Sequence, residues 1–267
     1  MRITMYSLEE VDESNRQRVV EFLRKDAVRH VFALYDIQYD LANTKMYAAF
    51  ENGVLKGYIL IYTGTSFPSI ILEGESEAAK ALVNYAPKNN FILHTQRELM
   101  SIVAEKFPNA KYYVEDWMLV KRGHANFFTS PKVRRLSDLE DARRLMMLFS
   151  TNEDRPQESL NKNLERISKT SVYGVFINGE LVSCAASLVQ LPEVWLIGGV
   201  YTHPNHRNKG YATLATSAIT EEALKNAEYA SLFVRNDNYS AIRVYEKIGY
   251  KKIGEKFWVD AGTGLKP

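Results

Sequence analysis

The sequence predicts an α/β (α+β) protein in which a mixed, mostly antiparallel sheet is flanked by helices. Two Asn-Gly pairs, at Asn52 and Asn178, lie between apolar runs and are typical of tight hairpin turns, which join antiparallel strands. An apolar run over 194–200 precedes a short basic loop, and a helix-favouring run over 212–227 follows it. The length of 267 residues suits two modest domains or one large one.

The second half of the chain contains a regular series of predicted elements. Ser137 followed by Glu140 indicates a capping box at the first helix. Asp237 or Asn238 is a natural N-cap of the last helix, which Gly249 ends. The predicted elements are a strand at 133–136, helices at 138–149 and 157–168, hairpin strands at 172–177 and 181–189, the strand, loop and helix over 194–227, a strand at 232–234, a helix after 238 and a strand at 251–259.

The first half of the chain shows much the same series, and Phe50 and Phe176 each open a Phe-x-Asn-Gly turn. Residues 3–6 and Ser7 resemble an opening strand and its cap. The other predicted elements are a helix at 19–34, strands at 47–50, 55–62 and 70–72, a helix at 75–85, a strand at 91–94, a helix at 98–107 and a strand at 111–120. We interpret the chain as a tandem of domains 1–122 and 132–267 with a linker between them. The alternative is that the first half is an α/β segment that does not repeat the second half, since such a segment would show the same pattern.

The loop before the 212–227 helix has the features of a phosphate site. Arg207, Lys209 and Gly210 lie where the helix starts, and free N–H groups at a helix N-terminus bind phosphate. A Walker loop is excluded because only one glycine is present and Tyr211 follows it. A dinucleotide fingerprint is excluded because the glycines at 198–199 lie inside the apolar run. Solvated surface charge is the alternative for the two basic residues.

Two ordered motifs resemble the GNAT N-acetyltransferase superfamily. The spacing Arg-x-x-Gly-x-Ala over 207–212 resembles its acetyl-CoA signature, and residues 238–250 resemble its second element, Asn-x-x-Ala followed by a Tyr-Glu-Lys-x-Gly-Tyr run. The resemblance implies the GNAT fold, in a tandem layout whose N-terminal copy is degenerate and lacks a cofactor loop. That copy has the acidic run Gly74–Ala78 where the loop should lie, which should repel coenzyme A.

The resemblance also implies acetyl-CoA (CoA) as co-substrate and assigns residues to it. Asn238 would contact the cofactor arm, and Tyr245 would bind the cofactor and protonate the leaving thiolate. Helix capping is the alternative for Asn238, and packing is the alternative for Tyr245. The remaining cofactor-binding residues implied are Gly199, Val200 and Thr202 on the strand and Arg207, Asn208, Lys209, Gly210, Tyr211 and Ala212 in the loop.

The general base is less well defined. Some relatives use a glutamate on the strand before the loop, but Leu196 occupies that position here. Glu193, three residues earlier, is the single residue we favour, and a water relay without one base fits equally well. The other candidates are His203, His206, Glu153 and Asp154.

The glycines at 198–199 predict a β-bulge that would splay two strands and open a slot with free N–H groups. Such donors could stabilise the charge that develops on a thioester carbonyl oxygen. Glycines packed closely for other reasons are the alternative.

The function we expect is N-acyl transfer, from acetyl-CoA to a primary amine, by direct attack in a ternary complex. Cys184 lies in an apolar strand and is expected to be inert core. A catalytically inactive CoA sensor is the alternative, and a third reading is an interaction protein that works through its N-terminal half. The tandem layout resembles glycine N-acyltransferase-like and mycothiol synthase-like proteins, with the acceptor pocket between the halves.

Composition excludes several other classes. The net charge of +2 gives no footprint for nucleic acid, and no apolar run approaches the ~20 residues of a membrane span. Acidic residues occur at 9–13, where a signal peptide would have an apolar core. A single cysteine excludes an internal disulfide. We therefore expect a cytoplasmic location. The five histidines show no metal-ligand spacing. The expected partner is a small-molecule or peptide amine, and the family resemblance leaves a homodimer open.

Overall fold

The computed structural model describes residues 6–153 and 157–265. Two compact units divide the chain: Met1–Asp116 with Gly254–Pro267, and Trp117–Ile253. One order of elements occurs twice, namely a strand, two helices, three strands, then a helix, a strand, a helix and a strand. This repetition confirms the predicted α/β tandem layout.

The first ten elements begin in the first unit. They are β1 (Ser7–Glu10), α1 (Arg16–Leu23), α2 (Val31–Tyr39), β2 (Thr44–Glu51), β3 (Val54–Tyr62), β4 (Ser69–Gly74), α3 (Ser76–Leu82), β5 (Ile92–Thr95), α4 (Met100–Lys106) and β6 (Lys111–Lys121).

The next ten elements begin in the second unit. They are β7 (Val133–Arg135), α5 (Leu139–Phe149), α6 (Leu160–Lys169), β8 (Val172–Ile177), β9 (Glu180–Gln190), β10 (Val194–Thr202), α7 (Tyr211–Asn226), β11 (Tyr229–Arg235), α8 (Tyr239–Ile248) and β12 (Lys251–Asp260).

The first unit has the strand order β1-β2-β3-β4-β5-β12, in which β4 and β5 are parallel. Both residues of the Asn52-Gly53 turn between β2 and β3 have positive φ, 51° and 76°, as a type I′ hairpin requires. Helices α3 and α4 contribute Leu82 and Val103 to a core that β4 and β5 complete with Leu72 and Leu93.

The second unit has the strand order β6-β11-β10-β9-β8-β7, and its β10 and β11 are parallel. The predicted hairpin turn at Asn178-Gly179 has φ values of 50° and 85°. The 16-residue helix α7 contributes Ala215 and Ile219 to the core, against Ala185 of β9 and Ile197 of β10.

The compact units differ from the predicted domains 1–122 and 132–267 because the last strand of each half pairs in the sheet of the other unit. Strand β12 pairs with β5 through Phe257 opposite Thr95. Strand β6 pairs with β11, where the indole Nε1 of Trp117 donates to Ser231 Oγ at 2.9 Å. The sequence pattern of a strand does not show which sheet the strand joins, so it does not distinguish the two pairings.

Three local predictions were wrong. The helix predicted over 19–34 is two helices, α1 and α2, because the polar residues 24–26 form a tight 3₁₀ turn with no buried side chain. Ser7 lies in β1 and caps no helix, while residues 3–5 lie outside the described part of the chain. The N-cap of α5 is Asp138 instead of Ser137, because the Asp138 carboxylate accepts from the N–H of Asp141 at 2.8 Å.

The described ranges contain no helix that is both long and apolar enough to cross a lipid bilayer. Within the same ranges, no group of three or more His, Cys, Asp or Glu side chains is arranged to hold a metal ion.

A buried ion pair joins β7 to α5 in the second unit. The side chain of Asp141 is fully buried, and its two oxygens accept from the Arg134 guanidinium at 2.7 and 2.6 Å. These bonds and the N–H of Ser137 hold the pKa of Asp141 below its ordinary value of 3.8, against the opposing effect of burial. A depressed folded-state pKa gives stability that is present above the unfolded pKa and is lost as the pH falls through the folded one.

We therefore expect Asp141→Asn to lower the free energy of unfolding at pH 7 by about 2 kcal/mol, because a charge-assisted bidentate pair is lost. The cost should shrink as the pH falls below 3.8, where the wild-type carboxylate itself becomes protonated. Urea unfolding at pH 7 and in acid measures both effects. Glu140→Gln, which removes an exposed pair on the same helix, is the matched control and should change stability little at either pH. A cost that does not vary with pH would contradict the assignment.

Candidate active site

The candidate active site forms where two parallel strands diverge. Strand β10 pairs with β11 only over Val194–Leu196, opposite Tyr229–Ser231, although β10 continues to Thr202 and β11 to Arg235. On its other side β10 stays paired with β9 as far as Thr202 opposite Ser183. The divergence therefore opens a slot beside the last residues of β10.

A β-bulge in β10 accompanies the divergence, as predicted. Gly198 pairs with Ala186 and Tyr201 pairs with Cys184, so Gly199 and Val200 together oppose a single residue of β9. Gly199 has φ of +59°, which favours glycine. A Cβ on Gly198 would lie 2.5 Å from the Leu188 side chain, which is exposed and can move aside. The bulge therefore accounts for Gly199, and Gly198 lies beside it in the same strand.

The loop after β10 ends at the N-terminus of α7. Gly210 is the N-cap, with φ of +79°, and it has no side chain that could occupy the helix end. The first helical bond runs from Leu214 N to Gly210 O at 3.1 Å. The N–H groups of residues 211–213 precede that bond and are therefore free of intrahelical partners. This end of α7 thus offers donors to an anion.

The loop itself is held by short local bonds. The Nε of Arg207 donates to Thr202 O at 3.3 Å, and its guanidinium lies 5.9 Å from the ring centroid of Tyr201. The Nζ of Lys209 donates to Asn205 O at 3.1 Å. Asn208 adopts a positive φ of 61°, which turns the chain toward Gly210. The two cations therefore sit on a folded loop with a defined shape.

Helix α8 supplies the opposite wall. Its N-cap Asn238 accepts from Ala241 N at 3.2 Å, so the predicted cap is formed. Gly249 ends the helix with φ of +109°. Tyr245 is only 7 % exposed and packs edge-on to Tyr250, with ring centroids 6.1 Å apart. The Tyr250 hydroxyl bonds to Thr220 Oγ1 at 2.9 Å.

These parts enclose a cavity of about 430 Å³ between the end of β10, the loop, the start of α7 and the first two turns of α8. It brings together most of the predicted cofactor residues: Val200, Thr202, Arg207, Asn208, Gly210, Tyr211, Ala212, Asn238 and Tyr245. Gly199 and Lys209 do not line it, and the Lys209 ammonium is turned back to Asn205.

Glu193, the base favoured from the sequence, does not reach the cavity. It lies in the turn between β9 and β10, and its carbonyl accepts from Tyr229 N at 3.2 Å. Val200 is seven residues further along β10, roughly 23 Å away at the rise of a strand. A shift in register changes the face of the strand on which a residue lies, but it does not move the residue to the other end of the strand. Glu193 therefore does not reach the end of β10 that lines the cavity.

The other base candidates differ in position. His206 lines the cavity, whereas His203 and Glu153 do not. The Nδ1 of His203 accepts from Asn205 N at 3.2 Å. Asp154 lies outside the described residues. No carboxylate occurs among the residues that line the cavity in the described part of the chain.

Two polar groups of the cavity are unusual. Burial raises the pKa of Tyr245 to about 12, so its phenol stays protonated at neutral pH. The Nδ1 of His206 is buried and has no hydrogen-bond partner among the described residues. A buried polar atom of this kind is costly unless something bonds to it, and it lies on the loop where an anion would bind.

The sequence analysis missed several lining residues. Ser240, Ala241 and Val244 lie on the α8 face that carries Tyr245, and Tyr201 and Thr213 flank the loop. The lining residues of α8 could have been predicted from helical spacing. Residues four apart share a helix face, and Ala241 precedes Tyr245 by four. No motif marks Tyr201, whose hydroxyl bonds to Thr151 Oγ1 at 3.0 Å.

Comparisons with known proteins agree with this architecture. Residues 172–259 match the family model described as FR47-like protein. No match was found among curated proteins.

The chain is similar to several solved structures. A Drosophila protein matches with a TM-score of 0.77 at 14% identity, over 97% of this chain and 100% of the other. A GCN5-related N-acetyltransferase from Kribbella flavida matches with a TM-score of 0.63 at 15% identity, over 92% and 95%. A tandem GNAT protein from the clavulanic acid biosynthesis pathway matches with a TM-score of 0.62 at 13% identity, over 95% and 98%. At these identities the likeness is one of fold.

Asn238 has two expected roles, as the N-cap of α8 and as a contact of the cofactor arm, and substitutions can separate them. Asn238→Ala should lower stability by about 1 kcal/mol, because the Ala241 N–H loses its acceptor. Asn238→Asp keeps an acceptor there and should restore stability, as thermal unfolding would measure. Affinity for CoA, measured on both variants, then reports any role beyond the cap. Equal stability of the Ala and Asp variants would contradict the capping role.

Proposed function

We propose that this chain is a member of the GNAT superfamily, whose fold it shares, and that it is an N-acyltransferase. It transfers an acyl group, acetyl in the first instance, from a CoA thioester to a primary amine. The observation that carries the proposal is the meeting of three features in one cavity: the slot beside β10, the N-terminus of α7 and the buried phenol of Tyr245.

The loop and the start of α7 fit the diphosphate of CoA. N–H groups of residues 211–213 and the positive end of the helix dipole favour an anion, and Gly210 allows close approach. The guanidinium of Arg207 adds a charge beside the same cavity. The buried Nδ1 of His206 has no partner among the described residues, and in the tautomer that carries its proton there it would donate to an anion. These residues would hold the cofactor, which supplies the activated acyl group.

The end of β10 fits the thioester end of the cofactor. Residues 197–202 no longer pair with β11, so the N–H groups on that edge are directed into the slot. The N–H of His203 donates to Val182 O on β9. Successive N–H groups along a strand point to opposite sides, so the N–H of Thr202 points away from β9 and into the slot. A strand N–H held in this way stabilises negative charge on a carbonyl oxygen.

Tyr245 acts as the general acid. It lines the cavity, and its raised pKa keeps the proton on the phenol until a thiolate forms. The acceptor amine must lose a proton to attack, since an alkyl amine with a pKa near ~10.4 is mostly charged at pH 7. The described lining has no carboxylate, which favours removal of this proton through water. Attack is direct, because Cys184 is buried in β9 and does not line the cavity.

A second candidate function is CoA binding without catalysis. The lack of a carboxylate in the described lining favours it, and the buried phenol of Tyr245 opposes it. The two functions share the cofactor site and differ only in turnover, so they are separated by the two experiments that follow.

Acetyl-CoA should raise the melting temperature of the full chain. At a ligand concentration of a hundred times the dissociation constant, the free energy of unfolding should rise by about 2.7 kcal/mol. Arg207→Gln should weaken binding roughly tenfold, because a charge-assisted contact is lost. Arg243→Gln, on the exposed face of α8 and away from the cavity, is the matched control and should bind as wild type does. The absence of any shift at millimolar acetyl-CoA would overturn the cofactor site.

Tyr245→Phe should lower kcat with amine acceptors by roughly 10² or more, with CoA affinity retained, because the ring is kept and the proton donor is lost. Since the pKa of Tyr245 is about 12, its deprotonation should cause no loss of activity up to about pH 11, while activity rises as the amine deprotonates. Steady-state rates across pH measure both effects.

The matched control is Tyr250→Phe, because Tyr250 is also buried but bonds to Thr220 and lies outside the cavity lining. It should keep its rate. Full activity in Tyr245→Phe would remove Tyr245 as the acid, and CoA binding without turnover of any amine would favour the second function.

A further inference from the structure

Tyr201 is a second phenol of the active-site cavity, and its side chain lies on the opposite face of β10 from Tyr245. The neighbouring Val200 packs against the cluster of α7 and α8 that contains Tyr245. Tyr201 packs instead against the cluster of α5 and α6, where its ring centroid lies 6.3 Å from that of Phe149. The cavity is therefore lined by one tyrosine from each face of the sheet, and the function proposed above uses only Tyr245.

Tyr201 is held in place by both its backbone and its ring. It pairs with Cys184 of β9 directly after the bulge, and its carbonyl accepts from Ser183 Oγ at 3.1 Å. The half-buried ring lies beside Phe149, and the Arg207 guanidinium is 5.9 Å from the ring centroid. These contacts define the position of the Tyr201 hydroxyl.

The direction of the hydrogen bond between Tyr201 and Thr151 follows from a second bond of Thr151. Thr151 Oγ1 lies 2.7 Å from Leu148 O, and a carbonyl can only accept, so the single hydroxyl hydrogen of Thr151 lies in that bond. Leu148 belongs to the last turn of α5, whose carbonyls have no partner within the helix. The Tyr201 hydroxyl lies 3.0 Å from the same Thr151 Oγ1, which has no second hydrogen to give. Tyr201 is therefore the donor in this bond.

Because its proton is directed to Thr151, the phenol oxygen of Tyr201 is left as a hydrogen-bond acceptor. No other hydrogen bond reaches this oxygen within residues 6–153 and 157–265. A hydroxyl that donates one bond can still accept another. Tyr201 thus offers a ligand a lone pair, whereas Tyr245 keeps a proton that it can donate.

An acceptor of this kind distinguishes amines by their number of N–H groups. In the proposed reaction the amine nitrogen bonds to the thioester carbon, the carbon–sulfur bond breaks, and the thiolate takes a proton from Tyr245, which water then reprotonates. A neutral primary amine loses one N–H proton to water and keeps the other in the amide, so the N–H that it keeps can donate throughout to Tyr201. A secondary amine loses its single N–H proton and leaves Tyr201 without a donor.

We propose that Tyr201 determines acceptor specificity by accepting the retained N–H of a primary amine, so that the site selects primary over secondary amines. Thr151 is a positioning residue, since it fixes the proton of Tyr201 on the side away from the amine. This inference rests on the proposed acyl transfer and adds an acceptor contact to it.

The test compares primary amines with their N-methyl counterparts as acceptors for acetyl-CoA, by the rate of thiol release. Three pairs are used: butylamine, phenethylamine and glycinamide, each with its N-methyl form. We expect the wild type to favour the primary amine of a pair in kcat/KM by about tenfold, the worth of one hydrogen bond. Tyr201→Phe should abolish most of this preference by raising KM for the primary amine. Affinity for acetyl-CoA should not change, because the ring beside Arg207 is kept.

Two variants of Thr151 leave the Tyr201 hydroxyl in place, which separates the hydrogen bond from the bulk of the hydroxyl. Thr151→Val removes the acceptor of the Tyr201 proton and should reduce the preference for primary amines, whereas Thr151→Ser keeps an oxygen there and should preserve it. Tyr173→Phe, which changes a half-buried tyrosine of β8 outside the cavity lining, is the matched control and should not alter the preference. Melting temperatures check that each variant is folded.

Equal rates with primary and secondary amines in the wild type, or an unchanged preference in folded Tyr201→Phe, would overturn the role of Tyr201 and leave acyl transfer standing. Failure of every amine to release thiol from acetyl-CoA would instead overturn the proposed acyl transfer, and the role of Tyr201 with it.

Discussion

The separation of β10 from β11 after Leu196 is the constraint on which the candidate active site depends. Six further residues of β10 follow the last paired one, and they keep their order only because β9 holds them from the other side. Without that second partner the slot would collapse or fray, since unpaired strand groups need either a neighbour or a ligand. The bulge at Gly199 adjusts the register, and the loop then delivers the chain to α7 at the same end of the slot.

The first unit repeats the element order but closes the equivalent opening. Strand β4 pairs with β5 up to Leu72 and ends two residues later at Gly74. Gly74 lies against Gly57 so closely that a Cβ on Gly74 would come within 2.2 Å of the Gly57 Cα. Strand β10 instead continues for six residues beyond its last pair with β11, so the corresponding unpaired edge of β4 is shorter.

Local features of the fold could be predicted from the sequence because their causes are local. The Asn-Gly turns, the Asn238 cap and the Gly249 stop each follow from backbone preferences of one or two residues. The position of Glu193 could not be predicted, because the pattern of a strand shows which face a residue occupies but not which end lies near the cavity. The buried ion pairs of Glu73 with Arg29 and Lys256 could not be predicted either. Their members come from α2's leading turn, β4 and β12, and no spacing in the sequence relates them.

The pairing of β12 with β5 has a consequence for how the protein is made. Thr95 pairs with Phe257, so β5 lacks its partner strand β12 until residue 257 has been synthesised. Contacts so distant along the sequence form late, since closing such a loop costs entropy before any pairing is gained. We therefore expect the sheet of the first unit to be completed only after β12 has been synthesised. A genetic cut between the two halves would separate each sheet from a strand that completes it, however well the two repeats resemble independent domains.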